Sequence, residues 1–498
     1  MINSFTKVAE GYAAMNNLKL TENGAIARIS TGDNLVDLFG TIGALRERGE
    51  REIEEKFASA FAEDALLATK MAFYARNPRG GGGGGLGERR VGRICLNWLA
   101  KNKPDIFIKN IPLLSELGRW DDFYSYLTMD GTNVVSEALW HFMSAQLCQD
   151  LDNMVANKPI SLLAKWLKSP RASSKETRVM ASITAKNFGL TSVEYRKMLS
   201  SMRRYLNVTE VMISDGKLSE IEYSAVPSYA MKIYKKLFKT KDGVRFSQYL
   251  TDVANGKSKI NASVLYPYDL VDEYLNKFYN YNETIEAQWK SLPDYVGDGA
   301  NMLVMADVSG SMCGRPMATS IGLAIYFAQH NHGAFKNLYM TFTDNPFFIQ
   351  IPDKSNPTLY ELVNAARWNG VGFNTDLEKA FDTILRLCVH NHIPQSDLPE
   401  ALVVISDMEI DGWRYQNMDF VTQMAVKFAN CGYKMPKLVM WNVQARQDTF
   451  HAKTNDNVQF ISGSSPSAFA DLIRGRELSA YELMVEALSN PIYDKVII

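Results

Sequence analysis

What most constrains this chain is a change of hydrophobic texture near Leu292. From about Asp33 to Asn280 the apolar residues recur at helical rather than alternating spacing, in short segments separated by Pro, Gly or Asn. Past the polar stretch LPDYVGDGAN, four runs read as buried strands: NMLVMADVS (Asn301 to Ser309), LYMTFT (Leu338 to Thr343), ALVVIS (Ala401 to Ser406) and KLVMWNV (Lys437 to Val443). Helical stretches at Met317 to His330, Leu377 to Val389 and Phe420 to Ala429 fall between them. Strands apolar on both faces that alternate with helices call for a parallel sheet covered on both sides. The pattern predicts a helical domain over 1–292, a doubly wound α/β domain over 293–478, and a helical tail over 479–498 that packs back on the body. Trp98, Trp120, Trp140 and Trp166 fall in four successive predicted helices at intervals of 22, 20 and 26 residues, which reads as a degenerate succession of helix pairs.

Charge and cysteine usage narrow the function classes. With 54 Lys+Arg against 55 Asp+Glu in 498 residues the formal net charge is −1, so no global field draws nucleic acid or membrane, and any polyanion site is a local patch. The five cysteines are scattered without C-x-x-C spacing, which argues against a disulfide framework and a zinc site and for a reducing compartment. The chain lacks an apolar signal-type start and any run of about 18 apolar residues, so a cytoplasmic protein away from membranes, and a monomer, is expected.

The strongest local signal is MADVSGSMCG, in which an apolar strand ends at Asp307 and Ser309 and Ser311 follow in a small loop. In a doubly wound sheet ligands bind at the carboxyl ends of the strands. Thr375, which opens a helix in GFNTDL, and Asp407, which ends ALVVISD, complete an all-oxygen set suited to Mg²⁺ or Mn²⁺. Cys313, just beyond the motif, is a poor partner for a hard cation. This half closely resembles the von Willebrand factor A domain. That resemblance implies a metal-ion-dependent adhesion site formed by Asp307, Ser309, Ser311, Thr375 and Asp407, the hydroxyls binding directly and the carboxylates directly or through water.

Positive charge is concentrated in the helical half. Between Lys158 and Lys259 there are 20 Lys+Arg against 8 Asp+Glu, a local net of +12 against −13 for the remainder. In TSVEYRKMLSSMRRYL, Arg196 and Arg203, and Lys197 and Arg204, are separated by two turns and project away from the apolar set Tyr195, Met198, Leu199, Met202 and Tyr205. In SYAMKIYKKLFK, Lys232, Lys235, Lys236 and Lys239 form a second stripe, expected opposite Ala230, Ile233, Tyr234 and Leu237. KWLKSPRASSKETR adds Lys165, Lys168, Arg171, Lys175 and Arg178. Two stripes and a basic loop point to a polyanion, and arginines that fork onto phosphates and stack on bases favour single-stranded or irregular RNA.

The segments TGDNLVDLFG, NPRGGGGGGLGERR, LLSELGRWDD, AKWLKSP, EYRKMLSSMRRYLNVTE, VPSYAMKIY and GKSKINASVLYPYDLV resemble the helical region of a family that joins such a region to a C-terminal von Willebrand A domain. The match is to an uncharacterised branch found in plants, fungi, bacteria and viruses, whose better understood relatives are the Ro autoantigen (TROVE-domain) proteins. There a ring of HEAT-like helical repeats, closed by the A domain, binds the ends of misfolded small RNAs in its hole and small structured RNAs on its basic outer surface. The resemblance implies an α-helical repeat ring or arc followed by a von Willebrand A domain, and an RNA-binding scaffold of the small-RNA chaperone type.

Other signals carry less. Gly80 to Gly85 suggests a phosphate loop, but Glu88 stands where the required Lys would follow Gly87 and no strand precedes the run, so it reads as a helix-to-helix loop in which Arg79, Arg89 and Arg90 can reach RNA. His-Asn-His occurs at His330 to His332 and at His390 to His392, both at predicted helix C-termini where histidine suits the dipole. No nucleophile–base pair, paired catalytic carboxylates or nucleotide fingerprint can be assembled, so an enzyme is not expected. The competing class is a protein-interaction adaptor whose metal captures a partner's carboxylate while the basic helices are merely solvated.

Overall fold

The computed structural model describes residues 17–78, 84–127, 133–275, 280–296, 301–342, 345–352, 357–368, 375–411, 420–454, 456–474 and 478–498. It comprises a helical-repeat region followed by a von Willebrand A-like doubly wound α/β domain. Among the described residues no helix is long and apolar enough to cross a membrane.

The chain opens with a hairpin, β1 (Leu18–Leu20) and β2 (Ile26–Arg28). The helical region then runs through α1 (Asn34–Ile42), α2 (Glu50–Glu63), α3 (Ala65–Arg76), α4 (Arg89–Asn102), α5 (Pro104–Lys109), α6 (Ile111–Glu116), α7 (Val134–Val155), α8 (Leu163–Trp166), α9 (Lys175–Asn187), α10 (Ser192–Tyr205), α11 (Thr209–Ser214), α12 (Ser228–Lys241), α13 (Gly243–Ala254), α14 (Pro267–Leu275) and α15 (Glu283–Lys290). Local sequence sets the breaks between them. Asp33, Asp64, Asn133 and Ser174 accept the first free backbone N–H groups of α1, α3, α7 and α9, and Thr191 with Glu194 makes a capping box on α10. Gly189, at φ +68°, turns the chain out of α9.

The tryptophans do join neighbouring helices. Trp98 packs on Phe57 and Phe61, and Trp140 on Tyr124 and Phe188. Trp120 is a correction: it lies in the turn before the short 3-10 helix Phe123–Ser125, stacked on Phe123 and Phe142.

The α/β domain is built on β3 (Met302–Asp307), β4 (Leu338–Phe342), β5 (Phe347–Gln350), β6 (Ala401–Ser406), β7 (Lys437–Asn442) and β8 (Val458–Ser462), in the order β5-β4-β3-β6-β7-β8. All neighbours are parallel except the antiparallel edge pair β4–β5. β3 is buried along its whole length and its residues alternate between two cores. Met302, Val304 and Ala306 join the layer of α16 (Arg315–His330), whereas Leu303 and Met305 join that of α18 (Leu377–His390) and α19 (Phe420–Asn430). The strand order reverses direction between β3 and β6, which makes the crevice at their carboxyl ends the topological switch point.

Both ends of the helical region rest on this domain. α1 packs against β7 and β8, and α14 packs against α16 and α17 (Leu359–Trp368). The segment after α20 (Ser467–Arg474) forms α21 (Ala480–Leu488), wedged between α1, α3 and β8. The opening hairpin, on the part of the chain expected to be helical, instead docks on the α/β domain: Thr21 Oγ1 donates to the Ile410 carbonyl at 2.7 Å and Asn23 Nδ2 to that of Glu409 at 2.8 Å.

Candidate functional site

Of the five residues singled out for a metal, Asp307, Ser309, Ser311 and Asp407 lie at the carboxyl ends of β3 and β6, and Thr375 is tied to the loop that follows Asp407. Asp307 is the last residue of β3, and its Oδ1 accepts the Ser309 N–H at 2.9 Å. The hydroxyls of Ser309 and Ser311 lie 3.1 Å apart in the loop that leads to α16. Asp407 follows β6, and its Oδ1 accepts the Glu409 N–H at 3.1 Å. Thr375 is tied to the loop after Asp407, since its N–H donates to Asp411 Oδ2 at 2.8 Å and its carbonyl accepts the Asp411 N–H at 3.1 Å.

Asp307 and Asp407 are both fully buried. Burial and then the neighbouring Asp407 carboxylate push the Asp307 carboxyl up to about 7. The Thr375 hydroxyl is buried with no hydrogen-bond partner among the described residues. An orphaned hydroxyl, two paired hydroxyls and two crowded carboxylates fit a small hard cation. The set contains two carboxylates and no His or Cys, and among the described residues no group of three His, Cys, Asp or Glu is placed to hold a metal.

Two partners of this site were not found from sequence. Ser406 donates its hydroxyl to Asp307 Oδ2 at 2.6 Å; it closes the strand ALVVIS, where a hydroxyl pointing across to the neighbouring strand end is a findable signal. Arg446, in the loop after β7, places Nη2 2.6 Å from Asp407 Oδ2 while Nη1 lies 3.2 Å from Glu22 Oε2 in the hairpin. Nothing local in NVQARQD marks this arginine, because both partners are distant in sequence. Arg315, the one cation near the motif in sequence, is turned toward the helical region: its guanidinium lies 4.1 Å from the centre of the Tyr268 ring and 3.5 Å from Glu88. The two His-Asn-His triplets do mark helix ends, with His330 and His390 the last residues of α16 and α18.

The basic residues divide into two groups. Arg171, Lys175, Lys197, Arg204, Lys236 and Lys239 are exposed and make no ion pair among the described residues, and Arg178 is exposed and donates to the carbonyls of Ala172 and Ser173. Arg196 is half-buried, and Lys165 lies 4.0 Å from Glu210. Lys168 is half-buried with its ammonium over the Tyr124 ring, and Arg203, Lys232 and Lys235 are structural. Arg203 donates to the carbonyls of Ala164 at 2.9 Å and Leu167 at 2.7 Å, and so caps the end of α8. Lys232 is buried, 3.4 Å from Asp269 and 3.7 Å from Glu273, and Lys235 lies 2.8 Å from Glu273. The second stripe is therefore split by α14, whose carboxylates take two of its four lysines. The expected apolar face is also corrected: α12 buries Ala230, Met231 and Phe238, and leaves Ile233 59% exposed. The residues Gly80 to Gly83 of the glycine run, and Arg79, lie outside the described residues.

Comparison with known proteins gives similarity over both halves. A domain of unknown function, DUF7788, matches residues 301–488, and another, DUF2828, matches residues 21–129 and 186–302. The chain is 25% identical over 520 aligned residues to uncharacterized protein L728 of Acanthamoeba polyphaga mimivirus, with 96% of this chain and 89% of that protein covered. Among solved structures, it is similar to the crystal structure of the Ro (RSR) protein of Deinococcus radiodurans at 14% identity and a TM-score of 0.47, covering 94% of this chain and 100% of that one.

Proposed function

We propose that this chain is an RNA-binding scaffold: its helical region holds single-stranded ends or small structured RNAs, in the manner of a small-RNA chaperone, and its α/β domain holds Mg²⁺ or Mn²⁺. The observation that carries the reading is the set of exposed Arg and Lys side chains on α9, α10 and α12 and the loop before α9, which no described carboxylate neutralises. A protein with nearly balanced total charge that leaves one region so unbalanced has a local polyanion site. Asp307, Ser309, Ser311, Thr375 and Asp407 are the residues that would hold the cation, and such a cation would supply a Lewis-acidic anchor for a partner's carboxylate. In this reading the molecule is a cytoplasmic, monomeric binding protein and not an enzyme.

The test is retention of a labelled RNA by the full chain across a salt series. Binding through about six phosphates weakens by orders of magnitude between low and moderate salt. Salt-insensitive or absent retention gives the lead to the protein-adaptor class. For the cation, Asp307→Ala with Asp407→Ala is expected to abolish the Mg²⁺-dependent rise in melting temperature, and equal Mg²⁺ binding by calorimetry would reject the assignment.

A further inference from the structure

A second concentration of positive charge lies outside both stripes. α3, α4, the turn after α6 and α8 converge on two adjacent carboxylates, Asp121 and Asp122. Asp122 is spent within the fold: its Oδ2 lies 2.7 Å from Arg76 Nε and its Oδ1 2.5 Å from Arg93 Nε. Among the described residues Asp121 then takes three more contacts. Its carboxylate lies 2.5 Å from Arg89, 3.0 Å from Arg119 and 3.2 Å from Arg93. Lys168 joins from the end of α8, with its ammonium 4.7 Å from the centre of the Tyr124 ring and no ion pair among the described residues.

The protonation balance reports the same crowding. Burial first, and the adjacent Arg93, lower the proton affinity of Arg89; burial also lowers that of Lys168, against the pull of Asp121 and with the push of Arg93 and Arg89. Arg89 and Arg119 thus share Asp121 and Lys168 feels its field, while Arg93 divides itself between Asp121 and Asp122. Their outer edges are open, the side chains of Arg89, Arg119 and Arg93 being 48%, 33% and 21% exposed.

The cluster is also held still. The Arg119 guanidinium carbon lies 4.4 Å from the centre of the Trp166 ring, and the turn that carries Trp166 and Lys168 is pinned by Arg203 at the Ala164 and Leu167 carbonyls and by the Tyr195 hydroxyl at the Lys168 carbonyl. A Cβ on Gly118 would come within 2.5 Å of Asp122 Oδ2 and 2.6 Å of the Leu114 carbonyl, so the backbone is packed as closely as glycine permits. Guanidiniums pinned along one edge and open along the other fork onto phosphate oxygens, and a guanidinium backed by an indole offers its free face to a base.

We infer that Arg89, Arg93, Arg119 and Lys168, gathered around Asp121 beside Trp166, form a preorganised binding site for the phosphates and bases of single-stranded RNA. This rests on the RNA-binding reading and names a site for it that neither basic stripe contains.

The experiment uses the full chain and a fluorescein-labelled ten-nucleotide oligouridylate. Arg89→Gln with Lys168→Gln leaves the Arg76, Arg93 and Arg119 contacts to Asp121 and Asp122 in place. It is expected to weaken binding about tenfold and to flatten the salt slope by roughly 1.4, since each lost phosphate contact on a single strand removes about 0.7. The charge-matched pair Lys434→Gln with Lys453→Gln, both exposed on the α/β domain, should cost less than about threefold at the same ionic strength. Equal losses for the two pairs, or no loss for the first, would overturn the site while leaving the RNA-binding reading intact. If the wild-type chain does not hold the oligonucleotide at low salt, both fall. Displacement of the oligonucleotide by polyglutamate at equal charge concentration would reassign the site to an acidic protein. Should the double variant melt early, Lys168→Gln alone, whose ammonium has no ion pair to break, carries the test.

Discussion

Replacing Arg446 by methionine probes how the α/β domain tolerates two buried carboxylates side by side. Asp307 and Asp407 are fully buried, and among the described residues the Arg446 guanidinium, 2.6 Å from Asp407, is the positive charge paired with them. At an effective charge separation of about 4 Å and a dielectric of about 20, this pair contributes roughly 4 kcal/mol of attraction. Arg446 is about one-third exposed, so screening halves the figure to about 2 kcal/mol. For a domain of this size that is a fall in melting temperature of about 4–8 °C in EDTA, read by calorimetry on the α/β transition. Mg²⁺ is expected to recover more stability in the variant than in the wild type. A cation entering the crevice no longer meets the guanidinium, and each 1.4 kcal/mol of repulsion relieved tightens its binding about tenfold. If the variant melts like wild type in EDTA and titrates with Mg²⁺ at the same affinity, Arg446 neither balances the carboxylates nor competes with a cation, and the reasoning fails.

Three further expectations concern the frame around the sites. Arg203→Glu is expected to destabilise the helical region by roughly 2–4 kcal/mol in urea unfolding, because it strips two carbonyl bonds and places an acid against them, whereas its neighbour Arg204→Glu stays within about 0.5 kcal/mol; equal effects would contradict the division drawn between them. His451 is fully buried with Nε2 2.9 Å from the Met408 carbonyl, and burial lowers its pKa to about 4. Its neutral form is matched to the fold above pH 6.5, and below that the unfolded chain takes the proton first, so stability falls by roughly 3 kcal/mol as pH drops from 6.5 toward 4. His451→Gln should flatten that part of the pH–stability curve, and an unchanged slope would rule the histidine out. Gly43→Ala would drive a Cβ to 2.5 Å from the Ser462 carbonyl carbon and oxygen. The expected cost is about 3 kcal/mol or more, with α1 prised from β8, and a melting temperature equal to wild type would show that the backbone yields there.

How far the sequence discloses this molecule depends on whether a signal is local. β3, β4, β6 and β7 announce themselves as unbroken apolar runs because both their faces are covered. β5 and β8 do not. β5 is an antiparallel edge strand with an exposed Phe347, and β8 carries Gln459 and Ser462 into buried positions where hydrogen bonds to Leu478 and Phe39 satisfy them. The opening hairpin has strands of three residues, too short for periodicity, although Asn23-Gly24, with Gly24 at φ +88°, is a turn signal that can be read. Asp307 and Asp407 are legible because strand ends and strand order place them. The guanidinium of Arg446 is not, since Arg446 and Asp407 meet only through tertiary structure. The same holds for charge. Composition counts Lys232 and Lys235 with Lys236 and Lys239, and only the packing of α14 on α12 shows that the first two are neutralised.

The docking of the opening hairpin on the α/β domain sets a timetable for synthesis. Thr21 bonds to Ile410 across 389 residues of chain, so the hairpin and the side of α1 that packs on β7 and β8 wait for those strands to leave the ribosome. At about 5–20 residues per second that interval is on the order of 20–80 s, during which the part of α1 that meets β7 and β8 is uncovered. The intervening helices, α2 to α13, make mostly neighbour-to-neighbour contacts and can fold as they emerge. The growing chain is then an open strip of finished helices with a loose leading end, and the molecule closes only when its last strands arrive to receive it.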